Sequence, residues 1–290
     1  MTNQLLQEAI PRFYADGGEE ILRNEAVILD SATMKFSSKV SNMGDEIDVL
    51  IDPIVAGSAY TGGDYATHET PTRTTEKVKV NKGFQIPFRL KEADQVQGKD
   101  VIKLAKSLAK SGLTSFALQA EADAAALYTE AGIPLTPSAG DAYDIDEDTA
   151  YRVLAYAAAQ ADAHKWPQQG RIAYLDPYFC MYLGIEALKL GGANSSQDEY
   201  KNGKTGRKIA GFEIRMSNTL YNAGGIYRPL FTLDKQSMAY VLQKKINITH
   251  KTQVGSPDDF YEGHAYYGIK VYRADKLMTL PTSYPSLNPQ

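Results

Sequence analysis

Apolar residues recur at spacings of three and four along 98–131. Val101, Ala105, Leu108, Gly112, Phe116, Ala120, Ala124 and Leu127 fall on one stripe of a helix. Lys99, Lys103, Lys106, Lys110, Gln119, Glu121 and Glu130 fall mostly off that stripe, on the wet face, and Gly132 with Pro134 supplies the stop. At 1.5 Å per residue such a helix is roughly 50 Å long, well beyond the usual three turns. It reads as a strut.

Elsewhere the period is two. Ile47, Val49 and Ile51 alternate with Glu46, Asp48 and Asp52, and Val78 and Val80 alternate with Lys77, Lys79 and Asn81, which predicts the two strands of a hairpin. Between them runs 53–75, rich in Gly, Thr and Pro and without helical or strand pattern. A loop of that length inside a folded domain is usually functional or disordered, and here the strands frame one that reaches outward. A third strand follows with Phe84, Ile86, Phe88 and Leu90 on one face, and Pro87 assigns it to an edge or a bulge. Ahead of the hairpin, 4–14 and 19–29 are short amphipathic pieces split by Asp16-Gly17-Gly18. Neither can form a core alone, so this is an arm that lies on something else.

After the strut, Asp144 with Glu147 three residues on is predicted to cap a helix over 147–164. A strand over 172–175 leads to a helix with Asp176 as N-cap and Pro177 as its first residue. A second long polar loop, 191–208, precedes a strand over 212–216. A turn at Gly224-Gly225, a helix over 234–242, a strand over 244–249, a turn at 255–257 and a last strand over 268–273 complete the reading. The proline-spaced tail 281–290 reads as loose.

Composition narrows the possibilities. The 290 residues are 43% apolar and 23% charged, enough for one or two globular domains. The net charge of −4 and the lack of a Lys/Arg stripe argue against tight direct binding of nucleic acid. No apolar run approaches the ~20 residues of a membrane span, and residues 1–10 lack the pattern of a signal peptide. Tyrosine is in excess, 19 against 9 Phe, as suits surfaces covered by other protein.

Candidate chemistry is sparse. The lone Cys180 lies between Phe179 and Met181 and reads as a buried thiol. Asp144, Asp146 and Asp148 mimic the start of a calcium loop, but Thr149 stands where its glycine belongs and Ala155 where its bidentate Glu belongs. Gly203-Lys204-Thr205 mimics the end of a phosphate loop, with Asp198 in place of the partner glycine. His68, His164, His250 and His264 show no metal-ligand spacing and read as surface or interface residues. Neither GxSxG nor a GxGxxG after a strand is present. No catalytic, cofactor or metal site is expected.

The order of elements, an arm, a hairpin with a long extended loop, a long spine helix and an α/β domain with large loops, resembles the major capsid proteins of tailed phages with the Hong Kong 97 type fold, which encapsulins share. Five strings carry the resemblance: KVNKGFQIPFRLKEADQVQGKD with its Asp-x-x-x-Gln turn into the helix, LQAEADAAAL over 118–127, GRIAYLDPYFCMYL, KIAGFEIRMSNTL, and YYGIKVYRADKLMTL. In the last, Ala274 replaces the usual Pro. Together they span 36–281 in the family's order.

The resemblance implies an α+β subunit: N-terminal arm (1–35), extended loop and its strands (36–91), peripheral domain with the spine helix (92–141), axial domain (142–250), and a return to the peripheral domain with closing strand and tail (251–290). It implies a non-catalytic coat protein that self-assembles through hexamers and pentamers into an icosahedral head in the virion, built in the host cytoplasm. Its partners would be a separate scaffolding protein, a portal protein, a decoration protein, and packaged double-stranded DNA held without sequence-specific contacts. The expected inter-subunit contacts are Tyr60, Asp64, Tyr65, His68 and Arg73 on the extended loop, and Asn194 and Lys208 near a capsomer axis. The alternatives are an encapsulin-like cargo shell and a soluble α/β enzyme with loops as lids. Some relatives weld subunits by a lysine–asparagine isopeptide bond. Here no lysine lies between Lys39 and Lys77 and no asparagine in 258–267, so a non-covalent shell is expected.

Overall fold

Residue alternation at the start of the chain becomes a hairpin because one face has somewhere to go. A computed structural model describes residues 26–37, 44–51, 72–91, 101–138, 140–190, 208–252, 255 and 258–284, with 101–106, 186–190, 244–247 and 252 described in backbone only. A 3-10 turn at Leu29–Ser31 precedes β1 (Glu46–Ile51), β2 (Thr74–Lys79), β3 (Lys82–Leu90) and α1 (Val101–Ala125), which runs into a 3-10 turn at Ala126–Glu130. Then come β4 (Ile133–Pro134), β5 (Tyr143–Asp144), α2 (Ala150–Ala163), β6 (Arg171–Leu175), α3 (Pro177–Leu190), β7 (Lys208–Ile209) and β8 (Phe212–Met216). The chain closes with β9 (Asn222–Ala223), β10 (Ile226–Tyr227), β11 (Leu230–Leu233), β12 (Met238–Thr252), β13 (Asp259–Val271), β14 (Leu277–Thr279) and β15 (Thr282–Ser283).

Among the described residues these strands make four sheets: β1-β2, β12-β13-β3, β4-β14-β11-β6-β8-β7, and β5-β15-β10-β9. The layers follow from which faces are apolar. One face of the six-stranded sheet (Ile172, Tyr174, Leu230, Leu277) shares a core with α1, residues 26–32 and the inner face of β12–β13. Its other face (Ala173, Leu175, Phe231, Leu233) packs under α2 and α3. This explains why every residue of β6 is buried: it has a layer on each side. The outer face of β12 at Ala239 and Val241 receives Ile47, Val49, Val78 and Val80 of the hairpin.

The predicted hairpin, edge strand and Asp176 cap are all present. β3 pairs only with β13 among the described strands and tolerates Pro87 there. Asp176 Oδ1 accepts the N–H groups of Tyr178 and Phe179, both at 3.0 Å. Gly224 and Gly225, at φ 61° and 79°, form the two-residue turn between β9 and β10 that L-residues resist.

Other expectations are corrected. The segment predicted as a helix over 234–242 is a turn followed by the start of β12. Met238, Ala239, Tyr240 and Val241 are all at 0% exposure, and burial on both faces removes the alternation that marks a strand. The strand predicted as the last, over 268–273, belongs to β13, which begins at Asp259, and β14 and β15 follow it. The helix predicted from 147 starts at Ala150 with Thr149 at its N-cap position, and Asp146 rather than Asp144 holds the turn that leads in: Asp146 Oδ1 accepts Thr149 N and Oγ1 and Asp148 N, each at 2.9 Å. Asp144 instead accepts Ser283 Oγ at 2.5 Å. The start of the tail is not loose, since Thr282 and Ser283 form β15 and Tyr284 is buried. On α1, Leu108 is 36% exposed and leaves the stripe, whereas Glu121 is only 2% exposed and joins it. The buried line runs Ala109, Leu113, Phe116, Ala117, Ala120, Glu121, Ala124.

Candidate assembly interfaces

The hairpin has one face in the core and one face free. Ile47 and Val49 of β1 are buried while Glu46, Asp48 and Leu50 are exposed, Leu50 at 59%. On that free face Lys77 Nζ sits 3.2 Å and Lys79 Nζ 3.5 Å from Glu46, and the hydrogen bond from Lys77 lowers the Glu46 carboxyl below its ordinary range. Lys270 of β13 reaches Glu76 at 3.3 Å. These exposed pairs fix register more than they add stability. The base of the hairpin is therefore seated on β12 and β13, with its two strands leading towards 52–71.

A second exposed apolar surface lies on α2 and α3. Tyr178 and Met181 on α3 and Tyr151 and Tyr156 on α2 are each 42–44% exposed. Tyr284 packs against Tyr178, Tyr182 and Tyr227 with ring centroids 5.6, 6.2 and 5.4 Å away. Tyr284 also donates its hydroxyl to Asp176 Oδ2, whose carboxyl is raised chiefly by burial. The tyrosine excess is spent here on a half-exposed aromatic shelf, the residue type that suits protein–protein contact.

Of the expected contact residues, Arg73 lies exposed just before β2, and Lys208 lies exposed as the first residue of β7 at an edge of the six-stranded sheet. The two belong to different sheets. Tyr60, Asp64, Tyr65, His68 and Asn194 lie outside the described residues.

The described residues hold no group of three or more His, Cys, Asp or Glu able to ligate a metal, and none of the helices is long and apolar enough to cross a membrane. Burial pushes the Cys180 thiol up to about 12, which leaves it protonated and unreactive at neutral pH. His250 Nε2 lies 2.8 Å from Asp259 Oδ1 on the β12–β13 hairpin, side chains 14% and 6% exposed, beside the Tyr261 ring. That makes it a partly buried hydrogen-bond partner rather than a simple surface histidine.

Sequence reasoning missed the polar contacts around residues 26–37. Glu121 accepts the Val27 N–H at 2.8 Å and Ser217 Oγ at 2.7 Å, and Arg215 pairs with Asp30 at 2.7 Å. The one available signal was the placement of Glu121 four residues from both Ala117 and Ala125, within an alanine-lined face.

No family model matches the sequence, and neither does any curated protein. Solved structures do match. A chain of Mycobacterium phage Che8 superposes with a TM-score of 0.69 at 20% identity, covering 88% of this chain and 90% of that one. The capsid of cyanophage P-SCSP1u gives 0.69 at 15% identity over 89% and 88%. A virus-like particle from Pyrococcus furiosus gives 0.60 at 12% identity over 94% and 99%. The chain has the α+β Hong Kong 97 type capsid fold.

Proposed function

We propose that this chain is the major capsid protein of a tailed phage, a non-catalytic subunit that self-assembles into the icosahedral shell enclosing double-stranded DNA. The observation that carries the reading is the whole-chain likeness to the P-SCSP1u capsid, 89% of this chain on 88% of that one. Two features agree with it. The hairpin and residues 26–37 contribute apolar faces to a shared core rather than having one of their own. The exposed tyrosine shelf and Leu50 offer contact area that a closed symmetric assembly would cover.

In this reading 1–35 is the arm, 36–91 the extended loop with its strands, 92–141 the peripheral domain, 142–250 the axial domain and 251–290 the return. Tyr60, Asp64, Tyr65, His68 and Arg73 contact a neighbouring subunit, and Asn194 and Lys208 lie near a capsomer axis. A separate scaffolding protein, a portal protein and a decoration protein are the further partners, and assembly takes place in the host cytoplasm.

A cargo-loading shell of the encapsulin kind is the second reading, favoured by the likeness to the Pyrococcus furiosus particle at a TM-score of 0.60. The contents of purified particles separate the two. Nuclease-protected genome-length DNA is expected; a stoichiometric co-purifying enzyme without DNA would favour the cargo shell. Deleting 57–71 should leave a folded subunit that cannot close a shell, and normal shells from that variant would remove the extended loop from the assembly account.

A further inference from the structure

Residues 26–37 are held by α1, by β6 and β8, by the turn at Lys235 and by β12. Val27 donates its N–H to Glu121 Oε2 on α1 at 2.8 Å, while Glu121 Oε1 accepts Ser217 Oγ at 2.7 Å, one residue past β8. Tyr174 of β6 donates its hydroxyl to Ile28 O at 3.4 Å, and Arg215 of β8 pairs with Asp30 at 2.7 Å. Lys235 N donates to Ser31 O at 2.8 Å. Thr33 is bonded on both sides to β12, donating to Met238 O at 2.9 Å and accepting from Tyr240 N at 3.0 Å. Leu242 N reaches Ser37 Oγ at 3.2 Å.

The segment also fills the seam between α1 and the six-stranded sheet. Ala26, Ile28, Leu29 and Ala32 belong to the same buried cluster as Phe116, Ala117, Ala120 and Ala124 of α1, Tyr174 and Leu230 of the sheet, and Met238 and Tyr240 of β12. Glu121 lies on this side of α1 at 2% exposure. A carboxylate taken out of water is costly unless its oxygens are hydrogen-bonded. Here one oxygen is satisfied by the 26–37 segment and the other by the sheet side. Moving Val27 away leaves one carboxylate oxygen without its partner and opens an apolar seam, so displacement of 26–37 acts on the α1–sheet junction.

We propose that residues 26–37 are a latch, with Glu121 as its catch, that sets the seating of α1 on the six-stranded sheet and, in a shell, couples that seating to assembly. Glu121 acts as a positioning residue. Only the consequence for assembly rests on the shell reading; the latch itself is a property of the subunit.

The test is amide hydrogen exchange on the full chain for wild type, Glu121→Gln, Glu121→Ala and, as a control, Leu183→Ala in the remote α2–α3 core, all at matched folded fraction. Loss of a hydrogen bond to a charged acceptor should speed exchange of the 27–35 amides and of the Glu121 turn of α1 by about ten- to a hundredfold in Glu121→Ala. The α2–α3 region should stay at wild-type rates. Glu121→Gln, which keeps one carbonyl acceptor for Val27, should fall between, and Leu183→Ala should show the reverse pattern. Unchanged exchange at 27–35 in Glu121→Ala, or an acceleration spread evenly over the chain, would overturn the latch. If Glu121→Ala does not fold, Glu121→Gln alone decides: acceleration confined to 27–35 and α1 supports the latch, and wild-type rates remove it. In particles, the same variants should give a broadened diameter distribution, and uniform wild-type diameters would overturn the coupling. Should the wild type form no particles, the shell reading fails, while the exchange comparison still decides the latch.

Discussion

Gly112 of α1 faces Ile86 of β3 so closely that a Cβ on the glycine would stand 2.4 Å from Ile86 Cγ2 and 3.2 Å from its Cδ1. The helix can seat on the three-stranded sheet because residue 112 has no side chain. Ile86 is itself 7% exposed, so it has little room to turn aside.

Gly112→Val should therefore destabilise the subunit by about 1–3 kcal/mol through overpacking, despite the poor intrinsic helix propensity of glycine. Pairing it with Ile86→Ala should recover part of the loss. Denaturant unfolding of the two single variants and the double variant measures the coupling; strictly additive effects would show that the contact is looser than it looks.

Arg171 is the second position where one side chain holds several pieces together. At 4% exposure it donates Nε to Pro167 O at 2.8 Å and its terminal nitrogen to Trp166 O at 2.6 Å and Asp162 Oδ1 at 2.7 Å. Lysine lacks the fork that reaches all three. Arg171→Lys should lose about 2–3 kcal/mol, and Arg171→Ala more, because the buried carbonyls lose their donors. Asp162→Asn should cost less than about 1 kcal/mol, since Asp162 faces solvent and its pairing is screened. Equal losses for the three variants in urea titrations would contradict this ordering.

Burial moves the Cys180 thiol from 9.0 to about 12. Below pH 9 both folded and unfolded chains keep the proton, and the stabilising difference is fully present. Between pH 9 and about 12 the unfolded chain releases it while the folded chain does not, so this contribution falls as pH rises. Native Cys180 should alkylate slowly at pH 8 and quickly once unfolded, and Cys180→Ser should flatten the alkaline decline in stability. Fast alkylation of the native protein at pH 8 would refute the assignment.

A covalently welded shell would need an amine, an amide and a carboxyl of raised pKa. Glu262 does not qualify: Lys251 and His264 lie beside it, and its hydrogen bond with Lys251 lowers the carboxyl below its ordinary range. Particles boiled in detergent with reductant should give one band near 31.9 kDa. A ladder of larger species would show cross-linking by residues outside this set.

Sequence periodicity located those elements that have one wet face. The alternation of Ile47 and Val49 with Glu46 and Asp48 gave β1, and Asp176-Pro177 marked the start of α3, because the physics there is local. It failed where both faces are buried: Met238 to Val241 carry no polar alternation, and a run of apolar residues fits a helix as well as a strand. It also failed for Glu121, whose partners Val27 and Ser217 lie 94 and 96 residues away, so that its charge and its place off the predicted stripe assigned it to water. Of the expected contact residues, Arg73 and Lys208 are exposed, and their contact with a neighbour is part of the proposal; the tyrosine excess pointed to covered surfaces without saying where on the fold they lie.

The central claim is that this subunit is made to close a shell, and negative-stain microscopy of material eluting ahead of the monomer in size-exclusion chromatography tests it most directly, with the chain expressed alone and with a scaffolding protein. Closed particles of uniform diameter, built from an uncleaved or trimmed form of this one chain, are the predicted result. A clean monomer under both conditions, with no capsomers or particles, would contradict it.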